Sequence, residues 1–325
     1  MKNKRDEITG SAVSAGLFLK TAADSLHMQL AAGERGLRRR IPEGTLNRPG
    51  LAFSGFYRYF AHRRVQVIGM AEHSYLGSLS REVREQRLRE FFSSKVPCVV
   101  VTRNWRVHRE MIDLAEEFAV PVLRTDMITK HFINAATIVL ENLMAPRVNI
   151  QGTMVEILGI GVLIDGRAGI GKSEAALGLI KRGYSLVSDD LTALRRDSAG
   201  ALIASPISVT RYHMEIRGLG IIHVPSLFGV ASVREEKRLD LVATLIDPPA
   251  EGRTNEMADD FRSTRRILGV DVPQVFVHVA PGRDVANLVE TAALDQKLRR
   301  LGHDAEKELD ERLVALLTGG RIGSE

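Results

Sequence analysis

The feature that most restricts how this chain can fold is a glycine-rich loop at residues 166–173, with the sequence GRAGIGKS. It matches the phosphate-loop pattern G-x-x-x-x-G-K-[ST] in full. The apolar run before it, residues 161–164, predicts a buried strand, and the apolar spacing after it predicts a helix that stops at Gly183. Because strand, glycine loop and helix are the context that a phosphate loop requires, we predict an α/β fold with a triphosphate site here.

The spacing of this motif has a chemical reason. Glycines let successive backbone N–H groups turn towards phosphate oxygens, and a helix N-terminus adds partial positive charge. Lys172 is expected to reach the β- and γ-phosphates of ATP, and the Ser173 hydroxyl to ligate Mg²⁺. The residues expected to form the cradle are Gly166, Arg167, Ala168, Gly169, Ile170, Gly171, Lys172 and Ser173.

Composition and charge limit the class of protein. The chain has 325 residues, enough for two domains, and its net charge of +5 suits an anionic ligand without indicating nucleic-acid binding. Cys98 is the only cysteine in the sequence, which excludes a disulfide framework. The N-terminus has no apolar signal region, and no stretch of about 18 apolar residues occurs. We expect a soluble cytoplasmic protein with no membrane and no nucleic-acid partner.

The first half of the chain alternates predicted strands and helices, which indicates βαβ units and a parallel sheet. No glycine fingerprint follows these strands, so this half is not expected to bind nucleotide. The sequence Ala145-Pro146-Arg147 interrupts the last helix and predicts an N-terminal α/β domain over 1–145 and a second domain over 146–325. Predicted strands cover 65–69, 97–102 and 120–124, and predicted helices cover 11–33, 81–92, 108–118 and 129–143.

Two segments of the second half concentrate chemically useful side chains. Asp189 and Asp190 follow a short apolar run, which predicts that both lie at the C-terminal end of a strand close to the phosphate loop. Phosphoryl transfer needs metal ligands and a base near the nucleophile, so both carboxylates are candidate catalytic groups. Residues 214–220, MEIRGLG, combine glycines that admit a ligand with Glu215, a candidate second metal ligand. A strand over 238–246 and a helical tail over 284–317 complete this half.

The sequence resembles the bifunctional HPr kinase/phosphorylase family, which acts on a seryl residue of the phosphocarrier protein HPr. The resemblance covers most of the chain, and its string EIRGLG at 215–220 is highly specific. It implies a C-terminal P-loop kinase domain related in fold to phosphoenolpyruvate carboxykinase, and assembly as a homohexamer. The segments that carry it are 46–52 (LNRPGLA), 65–69, 169–174, 182–183, 186–190 and 215–222.

The resemblance also implies roles for individual residues. Residues 166–173 would hold the triphosphate of ATP, with Ser173 on Mg²⁺. Asp189 would accept the seryl proton during phosphorylation and return it in the reverse reaction. Asp190 would support the metal or its waters, and Glu215 would be a further Mg²⁺ ligand. In the reverse reaction orthophosphate attacks phosphoserine and pyrophosphate is released.

Several positions depart from the family pattern, among them Ala168 of the phosphate loop, where the family usually has Ser. Gln151 stands where the family has a catalytic His, Met257 where it has an active-site Arg, and Ala280 where it has an Arg associated with dephosphorylation. A glutamine at the catalytic position 151 forms hydrogen bonds but carries neither a proton nor a positive charge. Arg253 and Arg262 are candidates to replace the lost arginine. We therefore expect ATP-dependent phosphorylation of HPr or an HPr-like protein, with weakened phosphorolysis.

Two other interpretations stay open at this stage. One is a kinase for another protein or a small molecule that uses the same cradle. The other is a non-catalytic regulator in which nucleotide binding drives assembly. The lost histidine and arginine favour these alternatives, whereas the intact Lys172, Ser173, Asp189, Asp190 and Glu215 favour the HPr kinase.

Overall fold

A computed structural model describes residues 13–208, 210–247 and 263–317. These residues form two compact units, one ending at Pro146 and the other beginning at Arg147. Both units combine helices with sheets, so the predicted α/β class is confirmed. No helix within the described ranges is both long enough and apolar enough to cross a membrane.

The N-terminal unit is built on a five-stranded sheet with the order β2-β7-β6-β5-β4. Strands β4 to β7 are parallel, as predicted, and β2 pairs antiparallel with β7 at one edge. Its strands are β1 (Val13–Ser14), β2 (Gln29–Ala32), β3 (Arg40–Ile41), β4 (Leu46–Asn47), β5 (Val65–Ile68), β6 (Val99–Val101) and β7 (Val122–Arg124). Its α-helices are α1 (Ala15–Ala22), α2 (Gly50–Phe53), α3 (Met70–Ser78), α4 (Arg81–Ser93), α5 (Arg109–Glu117) and α6 (Thr129–Met144).

The middle strand of this sheet, β6, is apolar throughout because helices cover both faces of the sheet. Val99 and Val101 pack into one core cluster, while Cys98 and Val100 pack into the other. The Cys98 side chain is fully buried, and this burial raises the pKa of its thiol to about 12. The cysteine therefore serves as a packing residue.

The predicted helix over 11–33 is wrong beyond Ala22. The chain leaves α1 there, passes through His27 with a φ of 48°, and enters the edge strand β2. Leu26 is buried and Leu30 packs against the same core cluster, although neither belongs to the helix. Their spacing looked helical because two elements deliver their apolar side chains to one core, an ambiguity that short apolar runs carry.

The C-terminal unit contains a six-stranded sheet with the order β11-β9-β10-β17-β19-β18, a four-stranded sheet β16-β13-β12-β8 and the hairpin β14-β15. Its first strands are β8 (Arg147–Gln151), β9 (Thr153–Ile157), β10 (Ile160–Gly166), β11 (Ser185–Ser188), β12 (Leu191–Arg196) and β13 (Leu202–Pro206). They are followed by β14 (His213–Ile216), β15 (Gly220–His223), β16 (Lys237–Arg238), β17 (Leu241–Ile246), β18 (Ser263–Ile267) and β19 (Val270–His278). The helices are α7 (Lys172–Lys181), α8 (Val224–Phe228), α9 (Val285–Arg300) and α10 (Ala305–Leu317).

Helices α7 and α9 cover one face of the six-stranded sheet, where Leu179 and Val289 join its core cluster. The strand predicted over 238–246 is divided at Asp240, which is 2% exposed and accepts a 2.8 Å hydrogen bond from the Gly161 N–H. The predicted helical tail likewise breaks at Gly302, which has a φ of 96°. Strands β10, β17 and β19 run parallel, so their carboxyl ends meet at one edge of the sheet.

Candidate functional site

The glycine loop joins the end of β10 to the start of α7, as its sequence predicts. A β-carbon at Gly166 would lie 2.6 Å from the Leu245 carbonyl oxygen of the neighbouring strand, so only glycine fits there. Gly169 and Gly171 have φ angles of 76° and 104°, in the region that favours glycine. The backbone can therefore curl round the helix N-terminus, which is the geometry of an anion cradle.

The two basic side chains of the loop lie in different places. Lys172 is only 8% exposed, and its Nζ donates hydrogen bonds of 3.3 and 3.2 Å to the carbonyls of Gly166 and Arg167. The Arg167 guanidinium instead forms two 2.7 Å hydrogen bonds with the exposed Asp247 at the end of β17. The loop thus holds one ammonium charge within its curve and directs the arginine side chain away.

A cleft of about 480 Å³ brings most of the predicted site residues together. Among the predicted cradle residues, Gly166, Arg167 and Ile170 do not line it, and Ile170 is buried in the core. The lining residues are Gln151, Ala168, Gly169, Gly171, Lys172, Ser173, Glu174, Asp189, Asp190, Glu215, Ile216, Arg217, Gly218 and Gly220.

Asp189 is the most enclosed carboxylate of this cleft, with 6% of its surface exposed. It accepts hydrogen bonds from Thr153 Oγ1 at 2.7 Å and Ser173 Oγ at 3.1 Å. The backbone N–H of Glu215 donates a third, at 3.3 Å. Burial raises the pKa of the Asp189 carboxyl above its ordinary value, and the hydrogen bonds partly oppose that shift. The result is a fixed carboxylate that is more basic than an exposed one.

Asp190 differs from its neighbour because it is exposed and its φ is 62°. Its carbonyl accepts a 2.8 Å hydrogen bond from the N–H of Gly152, which ties the ends of β8 and β11 together. A β-carbon at Gly152 would lie 2.9 Å from the Ile164 carbonyl oxygen, so this corner also requires glycine. Gln151, next to this corner, lines the same cleft as the acidic pair.

The hairpin β14-β15 supplies another wall of the cleft. Its turn contains Gly218 and Gly220, with φ angles of 82° and 90°. Arg217 reaches towards the phosphate loop, since its Nη2 atom would be 3.7 Å from a β-carbon built on Gly169. The EIRGLG segment therefore brings the positive charge of Arg217, as well as the carboxylate of Glu215, close to the phosphate loop.

The donor set of the cleft suits a hard cation that arrives with phosphate. Within the described ranges no group of three or more His, Cys, Asp or Glu side chains forms a ready metal cage. Mg²⁺ needs no such cage, because one or two carboxylates with waters and substrate phosphates complete its shell. Ser173 Oγ lies 3.1 Å from an Asp189 oxygen, and Asp190 and Glu215 line the same cleft. The residues present fit Mg²⁺ held in this way.

The positions that depart from the family pattern differ in whether they line the cleft. Gln151 lines the cleft, whereas Ala280, just beyond β19, does not. Met257, like the candidate replacements Arg253 and Arg262, lies outside the described residues.

The structure reveals functional neighbours that sequence reasoning missed. Thr153 was treated only as part of a strand, and its polarity in a run of buried residues was the available signal. Arg217 stood inside a recognised segment without a role. Arg265 forms an ion pair with Asp165, whose Cβ would lie 3.5 Å from a β-carbon on Gly152. This cation sits on a strand far along the chain, and no motif signals it.

Comparison with known proteins identifies the family of the chain. The sequence-family model described as HPr Serine kinase N terminus matches residues 17–140 of this chain. The family model described as HPr Serine kinase C-terminal domain matches residues 142–313. The HPr kinase/phosphorylase of Leptospira biflexa is 40% identical over 291 residues, covering 89% of this chain and 90% of that protein. The one from Brevibacillus brevis is 39% identical over 282 residues, covering 87% and 90%.

A solved structure, that of the Hpr(Ser) kinase/phosphatase from Coxiella burnetii, is 35% identical. It aligns with a TM-score of 0.44 over 50% of this chain and 97% of that one. The matches to both family models and the identity over nine tenths of the curated relatives agree with the motifs at 46–52 and 215–220. This chain therefore belongs to the HPr serine kinase family.

Proposed function

We propose that this protein is an ATP- and Mg²⁺-dependent kinase that phosphorylates a serine of HPr or an HPr-like phosphocarrier. The observation that carries the proposal is a direct contact between the nucleotide-binding loop and the candidate catalytic base. Ser173 of the phosphate loop donates to Asp189, a buried carboxylate of raised pKa, across 3.1 Å. The names of the relatives, HPr kinase/phosphorylase, supply the acceptor protein.

The nucleotide half of the site is the loop with its cations. Backbone N–H groups of residues 168–173 and the ammonium of Lys172 bind the triphosphate, and Arg217 contributes a further positive charge. Ser173 and Glu215 hold Mg²⁺, with Asp190 supporting its waters. When bound, the metal neutralises charge on the β- and γ-phosphates.

The acceptor half of the site is Asp189. The seryl oxygen forms a bond to the γ-phosphorus while the bond from that phosphorus to the bridging oxygen of ADP breaks. The seryl proton passes to Asp189, whose raised pKa makes it a better base than an exposed carboxylate. In phosphorolysis an orthophosphate oxygen forms a bond to the phosphoserine phosphorus while the bond from that phosphorus to the seryl oxygen breaks. Asp189 returns the proton to the seryl oxygen, and the pyrophosphate so formed is released.

The reaction is proposed to favour the kinase direction. Phosphorolysis brings two anions together, and their repulsion is strong where water is excluded. Gln151 places a neutral amide in the cleft where the family has a histidine. Pyrophosphate release from phosphoserine-HPr with millimolar orthophosphate is expected to be at least about tenfold slower than forward transfer. Equal rates in both directions would refute this bias.

A restoration experiment sharpens the same point. Gln151→His is expected to raise phosphorolysis more than phosphorylation. Ala280→Arg is the matched comparison, since position 280 does not line the cleft. A Gln151→His variant with an unchanged ratio of the two rates would show that position 151 does not set the direction.

The remaining expectations belong to this proposal. We assign residues 1–145 to an N-terminal α/β domain and 146–325 to the catalytic domain, in a cytoplasmic homohexamer without membrane or nucleic-acid partners. Light scattering of the purified chain tests the assembly, and a mass other than that of a hexamer would contradict it.

The decisive test of function is incubation with γ-labelled ATP and HPr, with an HPr variant lacking the seryl hydroxyl as the control. Label on HPr but not on the control is expected. ATP hydrolysis without transfer would indicate another acceptor. ATP binding without any turnover would indicate a nucleotide-sensing regulator.

A further inference from the structure

We propose that the N-terminal unit contains a second anion-binding site, for a small phosphate monoester, at the carboxyl end of its parallel sheet. Two adjoining clefts open there, of about 480 and 290 Å³. They share Gln29 at the start of β2 and Arg124 at the end of β7, which are paired across the sheet. In open α/β sheets, ligands bind in crevices outside the carboxyl ends of the strands.

The charge of the smaller cleft suits a phosphate. Arg106 and Arg124 both line it, and neither guanidinium has a hydrogen bond or ion pair with any residue in the part of the chain that the structure describes. Arg39 and Arg84 of the same unit differ in this respect, since Arg39 donates to backbone carbonyls and Arg84 donates to Glu110. Two free guanidinium groups in one cleft provide the fork-like donors that phosphate oxygens accept.

The remaining lining groups indicate what accompanies the phosphate. The floor of the smaller cleft is apolar, formed by Val107 and Ile112. The carboxylates Asp24 and Asp126 line only the larger cleft, and Asp126 is paired there with His27 at 2.9 Å. The phosphate is therefore assigned to the smaller cleft. The organic part of the ligand, with donors for these carboxylates, occupies the larger one.

The rim of the clefts is held in an unfavourable backbone conformation. Arg103 and Asn104 have φ angles of 62° and 54°, a region that non-glycine residues rarely occupy. Their N–H groups donate to the carbonyls of Met127 at 2.9 Å and Thr125 at 2.8 Å, which fixes the loop after β6. Backbone strain of this kind persists where the surroundings over-determine it, and it clusters at ligand sites.

The chain contains its own probe for this site. Trp105 is its single tryptophan and lies between Asn104 and Arg106. The residue is 38% exposed, and its ring stacks on that of His73, with centroids 4.8 Å apart. A ligand on Arg106 therefore changes the surroundings of the only indole in the protein.

The test is a titration of the full chain with inorganic phosphate at constant ionic strength, followed by Trp105 emission and by equilibrium dialysis. It uses a Lys172→Ala background, which weakens phosphate binding at the other unit. Arg124→Gln and Arg106→Gln are each expected to weaken saturable binding roughly tenfold or more. Arg103→Gln is the matched control, since this exposed arginine of the same loop lines neither cleft, and its affinity should not change.

Folding of each variant is checked by circular dichroism. Arg106 is an exposed loop residue, so its variant keeps the test valid if Arg124→Gln fails to fold. Absence of phosphate binding by both measurements, or equal affinities in the Arg106 and Arg103 variants, would overturn the proposal. Because the site is read by fluorescence and dialysis, its failure is independent of whether the other unit transfers phosphate to HPr.

Discussion

The two units of this protein place different anion-binding devices at the same kind of position, the carboxyl edge of a parallel sheet. In the C-terminal unit, β10 runs into a glycine loop and the N-terminus of α7, so backbone N–H groups face the cleft. In the N-terminal unit, Asn104 follows β6 and Arg124 ends β7, and both side chains line the larger cleft. The sheet provides the edge, and the residues after each strand decide which groups meet a ligand.

The comparison extends to backbone conformation. Both edges use positive φ angles, but Gly169 and Gly171 adopt them freely, whereas Arg103 and Asn104 do so under strain. A glycine loop can wrap a polyphosphate because nothing projects from it. The smaller N-terminal cleft offers fewer and longer donor groups, the side chains of Arg106 and Arg124, which suit a single phosphate. The C-terminal cleft is also lined by a buried carboxylate, Asp189, whereas Asp24 and Asp126 at the larger N-terminal cleft are exposed.

The largest expected effect is on phosphoryl transfer, and it tests whether the two sheet edges act independently. Lys172→Ala should lower phosphoryl transfer by about 10³ or more, because it removes the positive charge fixed inside the loop. Phosphate binding at the N-terminal clefts should stay unchanged in the same protein. Labelled-ATP transfer and Trp105 emission measure the two quantities. A folded variant that transfers phosphate normally would show that the loop is not the catalytic edge.

A smaller loss is expected from Asp189→Asn, which removes the proton acceptor and keeps the shape of the side chain. Transfer should fall by about 10² or more while nucleotide binding persists. Asp190→Asn is the matched control, because Asp190 is exposed and Ser173 Oγ donates to Asp189 rather than to it in the described structure. If both variants lost transfer to a similar extent, Asp189 could not be distinguished from Asp190 as the catalytic base.

Thr153→Val should have an effect of about tenfold or less and a characteristic pH dependence. The threonine hydroxyl donates to Asp189 at 2.7 Å and so stabilises its ionised form. Removing that donor raises the pKa of Asp189 further, and the acid limb of the rate profile moves to higher pH. Thr153→Ser, which keeps the donor, should restore the profile. A lower rate with an unmoved limb would indicate a packing effect only.

The smallest expected effects are on the pH dependence of stability. Two carboxylates of the C-terminal unit, Asp189 and Asp247, should change the free energy of unfolding in opposite directions as the pH rises. Burial raises the pKa of Asp189 in the folded protein, so its contribution to stability is greatest below its ordinary pKa and is lost as the pH rises through the folded value. The hydrogen bond and charge of Arg167 lower the pKa of Asp247, so its contribution is present above the ordinary value and is lost as the pH falls.

These contributions are measured by denaturant unfolding of the wild type, Asp189→Asn and Asp247→Asn. The pH is varied from about 4 to about 7, which covers the range where such carboxylates titrate. The free energy of unfolding of wild type relative to Asp189→Asn should decrease as the pH rises. The same difference for Asp247→Asn should increase, weakly, because that pair is exposed and screened. Parallel slopes for the two variants would contradict the assignment of Asp189 as a buried carboxylate of raised pKa.

Much of this protein followed from local sequence. The strand, loop and helix around residues 166–173 were predictable because glycine, lysine and serine at fixed spacing have one common use after a buried strand. The parallel sheet of the first half followed from alternating patterns. The false helix over 11–33 shows the limit, because Leu26 and Leu30 share a core that only the folded chain reveals.

Only the tertiary structure decided which of the predicted groups act together. Thr153 and Asp189 are 36 residues apart in sequence, yet they share a 2.7 Å hydrogen bond. Arg124 meets Gln29 across the sheet of the other unit in the same way. Motifs report interactions between near neighbours along the chain, whereas a pKa and a cleft depend on burial and on groups from distant strands. The sequence alone thus determined the chemistry available to this protein, and long-range packing determined where that chemistry is placed.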